Sequence, residues 1–199
     1  MKLFITIPSP FARKVRIVAH EKGLTGQIEQ VVVDPYSNAP ELLETNPVVQ
    51  VPTLIAADGL PLNDSPVICE YLDRLGTGAV LLPASGSADW LRVKRIETLG
   101  NQALEMGVKL VLEKRRPEYE RSAMWIERWT SHMNRALDAL EAENLSADEV
   151  NIGTITAAVA ASWIGFRHPD YDLSTGRPSL MAFNQSMEQR DSFVETDPR

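Results

Sequence analysis

A chain of 199 residues can form one large domain or two small ones, and 44% hydrophobic residues are enough to build a sizeable core. The formal net charge of −7 at pH 7 argues against a general affinity for nucleic acid, so we expect no such partner. No apolar run reaches the roughly 18 residues that a membrane span needs, so we also expect no membrane partner.

The N-terminus and the cysteine content both favour a cytoplasmic protein. The first residues lead into a short strand that soon meets Pro8 and Pro10, without the longer apolar stretch and the cleavage site of a signal peptide. Cys69 is the single cysteine, which excludes a framework of disulfides within the chain. We therefore expect a cytoplasmic location.

The first part of the chain, Met1 to about Leu75, alternates between strand and helix patterns. Apolar and β-branched runs predict strands, whereas apolar residues at helical spacing predict helices. The predicted elements are, in chain order, a strand at 2–7, a helix at 11–22, a strand at 27–33, a short helix at 40–45, strands at 51–55 and 60–62, and a helix at 67–74. The order β-α-β-α-β-β-α predicts an α/β domain over residues 1–75.

Residues 76–87 are rich in glycine, serine and alanine, and this composition predicts a linker between two domains. The patterns beyond the linker are all helical. The predicted helices lie at 90–115, 118–143, 154–166 and 178–189. We therefore expect an all-α domain over residues 88–199.

Ser9 stands where the first strand gives way to the first helix, directly before Pro10. Serine is a favoured N-cap, and proline is a favoured first helical residue. A hydroxyl there lies beside unpaired backbone N–H groups and the positive end of the helix dipole, a place suited to an anion such as a thiolate. Ser65–Pro66 begins a later helix in the same way. For either pair alone, plain helix capping is the preferred interpretation.

Val51–Pro52 lies between the two serines in sequence, at the start of a predicted strand. Proline is tolerated there because its missing N–H need not join the ladder of the sheet. A cis peptide bond at this proline would direct the backbone N–H and C=O of Val51 outward, toward the surroundings of Ser9. This third element shifts the interpretation from capping toward a binding site.

The ordered set of these motifs resembles the glutathione transferase family. The resemblance is carried by Ser-Pro-Phe-Ala-Arg-Lys-Val-Arg at 9–16, Asn-Pro-Val-Val-Gln-Val-Pro at 46–52 and Asp-Ser-Pro at 64–66, and it covers nearly the whole chain. Residues 176–180 and 191–198 are similar to the end of bacterial, serine-type (YibF-like) members. The resemblance implies a thioredoxin-like N-terminal domain, an all-helical C-terminal domain, glutathione as co-substrate and a homodimer.

The resemblance also implies a role for each motif residue. Ser9 would donate a hydrogen bond to the glutathione thiolate and, with the helix terminus, lower the thiol pKa by roughly two units. The backbone of Val51 would pair with the cysteinyl part of glutathione in a strand-like way. Asp64 and Ser65 would hold the γ-glutamyl group, and Gln50 would lie near the glycyl carboxylate.

The resemblance places the second substrate beside Ser9, between the two domains. Phe11, Met106 and Leu110 are the candidates for lining that pocket. Plain core packing explains these three apolar residues equally well.

For several other residues we prefer a structural interpretation to a catalytic or metal-binding one. Arg13 could raise the positive potential near Ser9, but a solvated or interdomain arginine is the favoured interpretation. His20 is expected to have a packing or surface role, and His132 and His168 lack metal-ligand spacing, so we propose no metal site. Cys69 is interpreted as a small buried hydrophobe.

The second domain departs from the family pattern at one helix start. Thr154 retains the threonine of a capping box, but Ala157 stands where aspartate is expected. We expect the loss of the reciprocal bond to cost about 1 kcal/mol of helix stability.

The leading hypothesis is a glutathione transferase that detoxifies small, largely apolar electrophiles by attack of the thiolate on carbon. Serine at position 9, where disulfide-forming relatives carry cysteine, argues against mixed-disulfide chemistry as the main activity. Two alternatives stay open: a non-catalytic binding or regulatory module like the stringent starvation protein, and a glutathione-dependent peroxidase or thiol-exchange protein.

Overall fold

The computed structural model describes all residues from Met1 to Arg199. The chain divides into two compact units. The first unit contains Met1–Leu82 together with Asp191–Pro198, and the second contains Pro83–Arg190 together with Arg199.

A four-stranded mixed sheet in the order β2-β1-β3-β4 forms the centre of the first unit. Strand β1 (Lys2–Ile5) runs parallel to β2 (Glu29–Val32) and antiparallel to β3 (Thr53–Ile55), and β3 pairs antiparallel with β4 (Pro61–Asn63). The last three residues of β1 are at most 1% exposed, so this central strand is buried on both faces.

Three helices complete the alternation of the first unit: α1 (Pro10–Glu21), α2 (Pro40–Thr45) and α3 (Ser65–Leu75), with short 3-10 turns at Thr25–Gln27 and Pro35–Ser37. Each of the three helices begins with proline at its first or second position, as the fixed φ of proline favours. Helices α1 and α3 pack against each other. The predicted order β-α-β-α-β-β-α and its thioredoxin-like topology are confirmed.

The predicted linker differs from the structure in its first half. Residues 76–82 belong to the first unit. The Nζ atom of Lys22 donates to the carbonyl of Ala79 at 2.7 Å, and the carboxylate of Asp73 accepts the backbone N–H of Leu81 at 2.9 Å. These polar groups are buried and need partners, so they hold this half of the segment in place.

The second unit is helical throughout. It contains α4 (Ala88–Lys114), α5 (Ala123–Glu141), α6 (Ile152–Arg167) and α7 (Pro178–Met187), with a 3-10 turn at Glu118–Glu120. Helix α4 packs against α5 and α6, and α6 packs against α7. Every residue from 152 to 161 is buried, so α6 is the central helix of this unit. Nowhere in the chain is a helix both long and apolar enough to cross a membrane.

The C-terminal end corrects the expected extent of the helical domain. The short helix α8 (Asp191–Val194) packs against α1, and Asp191–Pro198 groups with the first unit. The expected all-α domain over 88–199 therefore lacks its last residues apart from Arg199. The physical reason is that Phe193 is 1% exposed against the first unit and would be solvated without it.

The start of α6 corrects the expected capping defect. The N-cap is Asn151, not Thr154, and Thr154 occupies the third helical position. The backbone N–H of Thr154 donates to the Asn151 side chain, and the Thr154 hydroxyl accepts from the Asn151 backbone N–H, both at 2.9 Å. The capping box is complete three residues earlier than we expected, so the predicted loss of stability was wrong.

Candidate functional site

The three segments that carry the predicted motif residues meet the central sheet at the same end. Thr53 at the start of β3 lies opposite Phe4 near the end of β1 and opposite Asn63 at the end of β4. The segment leading to Ser9 follows β1, the segment ending at Pro52 precedes β3, and Asp64 follows β4. The sheet register therefore brings the segments with all three motifs to one end of the sheet.

Ser9 is the N-cap of α1, as predicted. Its Oγ accepts the backbone N–H of Ala12 at 3.2 Å, and its carbonyl accepts the backbone N–H of Arg13 at 3.0 Å. The side-chain oxygen acts as an acceptor in this bond, so the hydroxyl proton is still available for donation. The half-buried hydroxyl can therefore cap the helix and donate to an anion at the same time.

The Val51–Pro52 peptide bond is cis. Val51 is half-buried, and neither its N–H nor its C=O pairs with another backbone group. An unpaired backbone donor and acceptor just before β3 can pair with an extended peptide in a strand-like way. Gln50, the preceding residue, is exposed and has an amide that can donate a hydrogen bond.

A buried polar network supports this loop. Asn46 and Thr53 are 2% and 0% exposed, and the Asn46 Nδ2 donates to the Thr53 Oγ1 at 2.9 Å. The Thr53 hydroxyl donates to the Gln50 carbonyl at 2.7 Å, and the Asn46 Oδ1 accepts the Val48 N–H at 3.1 Å. Sequence reasoning gave neither Asn46 nor Thr53 a role. The Asn46–Pro47 dipeptide, which favours a turn, was the one sequence signal that could have drawn attention to Asn46.

Asp64 and Ser65 form the start of α3. Asp64 is exposed and adopts a positive φ of 68°, which is uncommon for a residue other than glycine. Ser65 is 1% exposed, and its Oγ has no hydrogen-bond partner in the chain. A buried hydroxyl without a partner is costly, so this position is suited to a ligand that supplies one.

The structure contradicts the favoured interpretation of Arg13 as a solvated or interdomain arginine. It is 2% exposed and not solvated, and its Nη2 donates to the carbonyl of Phe193 at 3.1 Å. The domain assignment predicted Phe193 to lie in the helical domain, but both residues belong to the first unit.

The three histidines lie in different surroundings. His20 Nε2 lies 3.3 Å from a carboxylate oxygen of Glu195. His168 is buried with its Nε2 3.0 Å from the carbonyl of Gly107, and burial holds its pKa below the usual range. Burial, and then two neighbouring arginines, also lower the pKa of His132. No group of three or more histidine, cysteine or acidic side chains could hold a metal ion.

Cys69 lies on α3 and is fully buried. Its surroundings are those of a core residue, which confirms its interpretation as a small buried hydrophobe.

The three candidates for the substrate pocket have different surroundings. Phe11 is half-buried on α1. Met106 borders a cleft of about 400 Å³ within the second unit, between α4 and α5, whose other lining residues are Leu99, Gln102, Glu105, His132, Arg135 and Ala136. Leu110 is only 4% exposed, which fits the alternative of plain core packing.

Comparison with known proteins gives concordant matches. Residues 8–75 match the family profile of the glutathione S-transferase N-terminal domain. All of the chain aligns at 33% identity with 98% of the uncharacterized GST-like protein YibF of Escherichia coli K12. A stringent starvation protein A homolog of Pasteurella multocida is 40% identical over 83 residues, which is 42% of this chain and 38% of that protein.

Solved structures give the same result over the full length. A glutathione transferase family member from Pseudomonas fluorescens Pf-5 with bound glutathione has a TM-score of 0.91 at 30% identity, covering 100% of this chain and 98% of that one. A second crystal structure described as a member from that organism contains S-(propanoic acid)-glutathione. Its TM-score is 0.87 at 30% identity, and 100% of each chain is covered.

Proposed function

The chain belongs to the glutathione S-transferase family, and we propose that it activates the thiol of glutathione for attack on a small, largely apolar electrophile. The observation that carries the proposal is the register of Phe4, Thr53 and Asn63, by which the three segments with the motifs meet the sheet at one end. The unpartnered, buried hydroxyl of Ser65 near that end supports a bound ligand.

Ser9 stabilises the thiolate in this proposal. Its hydroxyl donates a hydrogen bond to the sulfur while its oxygen still caps α1. Because the charged form is stabilised, the thiol pKa falls and its proton passes to solvent. The sulfur lone pair forms the new C–S bond, and the leaving group departs with its bonding electrons. Sulfur is the nucleophile, and Ser9 forms no covalent bond.

The tripeptide lies across the same end of the sheet. The unpaired backbone N–H and C=O of Val51 pair with the cysteinyl residue of glutathione, as in the addition of a strand. The Ser65 hydroxyl and the N-terminus of α3 bind the γ-glutamyl carboxylate, and Asp64 attracts its ammonium group. Gln50 donates a neutral hydrogen bond to the glycyl carboxylate.

The residues that would contact the second substrate are the next part of the proposal. Phe11 and Met106 are each half-buried and so each keeps some accessible surface, whereas Leu110 is the weakest of the three candidates because it is nearly fully buried. The glutathione conjugate in the Pseudomonas fluorescens structure supports a small electrophile. We further propose a cytoplasmic homodimer, on the strength of family membership.

Replacement of Ser9 tests the proposal against a matched control. Ser9→Ala should raise the pKa of bound glutathione and lower kcat/KM on a panel of electrophiles by about a hundredfold. Ser87 caps α4 through an equivalent bond to the N–H of Trp90 at 3.1 Å, so Ser87→Ala removes a helix cap without touching the site. Equal activity in the two variants would remove Ser9 from the mechanism.

The similarity to stringent starvation protein A homologs over 83 residues favours a second candidate, a binding module without transferase activity. Calorimetric titration with glutathione separates the two classes. Heat of binding with turnover of an electrophile supports the transferase, and turnover of a peroxide alone supports a peroxidase. Binding without any turnover supports the module.

A further inference from the structure

The C-terminal segment, Asp191–Pro198, lies against α1 although about 180 residues separate the two in sequence. Its residues Ser192, Phe193 and Thr196 are between 1% and 5% exposed. A segment at the end of a chain is ordered only where contacts hold it. The contacts here are made with the helix that Ser9 caps.

Arg13 makes the most buried of these contacts. Its Nη2 donates to the Phe193 carbonyl at 3.1 Å, and its guanidinium carbon lies 5.5 Å from the centre of the Phe193 ring. The guanidinium is planar and presents a fixed set of donors, so a bond together with ring stacking restricts it to one geometry.

The other contacts lie farther along α1 and are more exposed. Arg16 donates to the Thr196 carbonyl at 3.3 Å, and the Ser192 hydroxyl donates to the Glu21 carboxylate at 2.6 Å. Along α1, Arg16 is about two turns and Glu21 about three turns from Ser9. They bind the segment but do not contact the first turn.

The Arg13 backbone contacts Ser9 directly. The Arg13 N–H donates to the Ser9 carbonyl at 3.0 Å, next to the bond from the Ala12 N–H to the Ser9 Oγ. One residue therefore connects the carbonyl of Ser9 to the carbonyl of Phe193.

We propose that Arg13 is a positioning residue, through which the C-terminal segment fixes the first turn of α1 and with it the direction of the Ser9 hydroxyl. The catalytic consequence rests on the proposed function. A small misplacement of a group that stabilises charge has a large effect on rate, so loss of the Arg13 contact should lower kcat more than it raises KM.

Arg13→Met, with Arg16→Met as its control, tests the proposal in the full chain. Arg13→Met should accelerate amide hydrogen exchange at Ala12 and Arg13 by about tenfold. It should also raise the pKa of bound glutathione and lower kcat about tenfold, with KM changed by no more than about twofold. Arg16→Met removes contacts to the same segment and should leave the exchange rates, the thiol pKa, kcat and KM near the wild-type values.

A second variant keeps the test decisive if Arg13→Met fails to fold. Arg13→Lys retains the charge and one donor but loses the planar group over the Phe193 ring. Its amide exchange should therefore be faster and its kcat lower than in the wild type, and where Arg13→Met folds, both values should lie between those of the wild type and Arg13→Met. If all variants change only global stability, with exchange at Ala12 and the thiol pKa as in the wild type, Arg13 has no positioning role.

The exchange measurement needs no glutathione. If the wild-type protein fails to bind glutathione, the proposed function is overturned. The effect of Arg13 on the first turn of α1 is still decided by exchange at Ala12 and Arg13.

Discussion

The ammonium group of Lys22 lies 3.0 Å from the carboxylate of Asp73, and the two side chains are only 2% and 7% exposed. Lys22 follows α1 and Asp73 lies on α3, so the pair joins the two helices that pack against each other in the first unit. Removing one partner of a buried ion pair leaves the other charge without compensation.

Asp73→Ala should therefore lower the free energy of unfolding by about 3–5 kcal/mol. Urea denaturation measures the change. Glu70 on the same helix pairs with Arg74 at the surface, and Glu70→Ala should cost no more than about 1 kcal/mol. Similar losses in the two variants would show that the Lys22–Asp73 pair does not stabilise the fold.

Ser65→Ala should separate stability from binding. The Ser65 hydroxyl is buried without a partner, so its removal should leave the free energy of unfolding unchanged or raise it by about 1 kcal/mol. The affinity for glutathione should fall about tenfold, because the carboxylate loses a donor. Denaturation and calorimetric titration give the two values. A marked loss of stability would mean that the hydroxyl has a partner in the chain.

Asn46→Ala should weaken glutathione binding indirectly, through the loop before Thr53. The variant removes the buried amide that supports the loop before Thr53, and it leaves the Thr53 hydroxyl with one partner fewer. We expect a loss of about 1–3 kcal/mol in the free energy of unfolding together with weaker glutathione binding. Unchanged binding in a destabilised variant would limit the network to a structural role.

Glu141 gives the second unit a pH dependence. Burial raises the pKa of its carboxyl, but hydrogen bonds from the backbone N–H groups of Leu180 and Ser179, together with the Ser179 hydroxyl and the charge of Arg177, hold it below the usual range. The folded pKa lies below the unfolded one. The stabilisation is therefore present above the unfolded pKa of about 4.3 and is lost as pH falls through the folded pKa.

Glu141→Gln measures this contribution. The wild type should be more stable than the variant at neutral pH, and the difference should shrink as pH falls below about 4. Urea denaturation over a pH series gives the curve. A difference that is constant with pH would mean that the carboxylate is not involved.

Two substitutions test the observed start of α6. Asn151→Ala should cost about 1–2 kcal/mol of stability through loss of the cap. Ala157→Asp, which would restore the aspartate expected from the family pattern, should destabilise the protein severely because Ala157 is fully buried. Thermal denaturation measures both changes, and an Asn151→Ala variant as stable as the wild type would contradict the start of α6 at Ile152.

Much of the fold could be predicted because its signals are local. Pro10 and Pro66 each follow a serine and mark helix starts, and the structure places helices at both positions. Asn151 shows the limit of such reasoning. Asn151 and Thr154 are both good N-caps, so the local pattern alone could not decide between two starts three residues apart.

The supports of the candidate site could not be predicted for a different reason. The partner of Arg13 is Phe193, 180 residues away, and no short motif encodes that contact. Asn46 has a partner only seven residues away, but a bond between two buried side chains is specified by the tertiary structure and not by their spacing.

The return of the C-terminal segment to α1 bears on how the protein is made. Residues 1–82 leave the ribosome first, yet Arg13 on α1 contacts Phe193, and residues 191–198 are synthesised after the whole helical unit. The first unit can therefore acquire its sheet early but completes its packing last. Its final stability depends on the whole polypeptide having been translated.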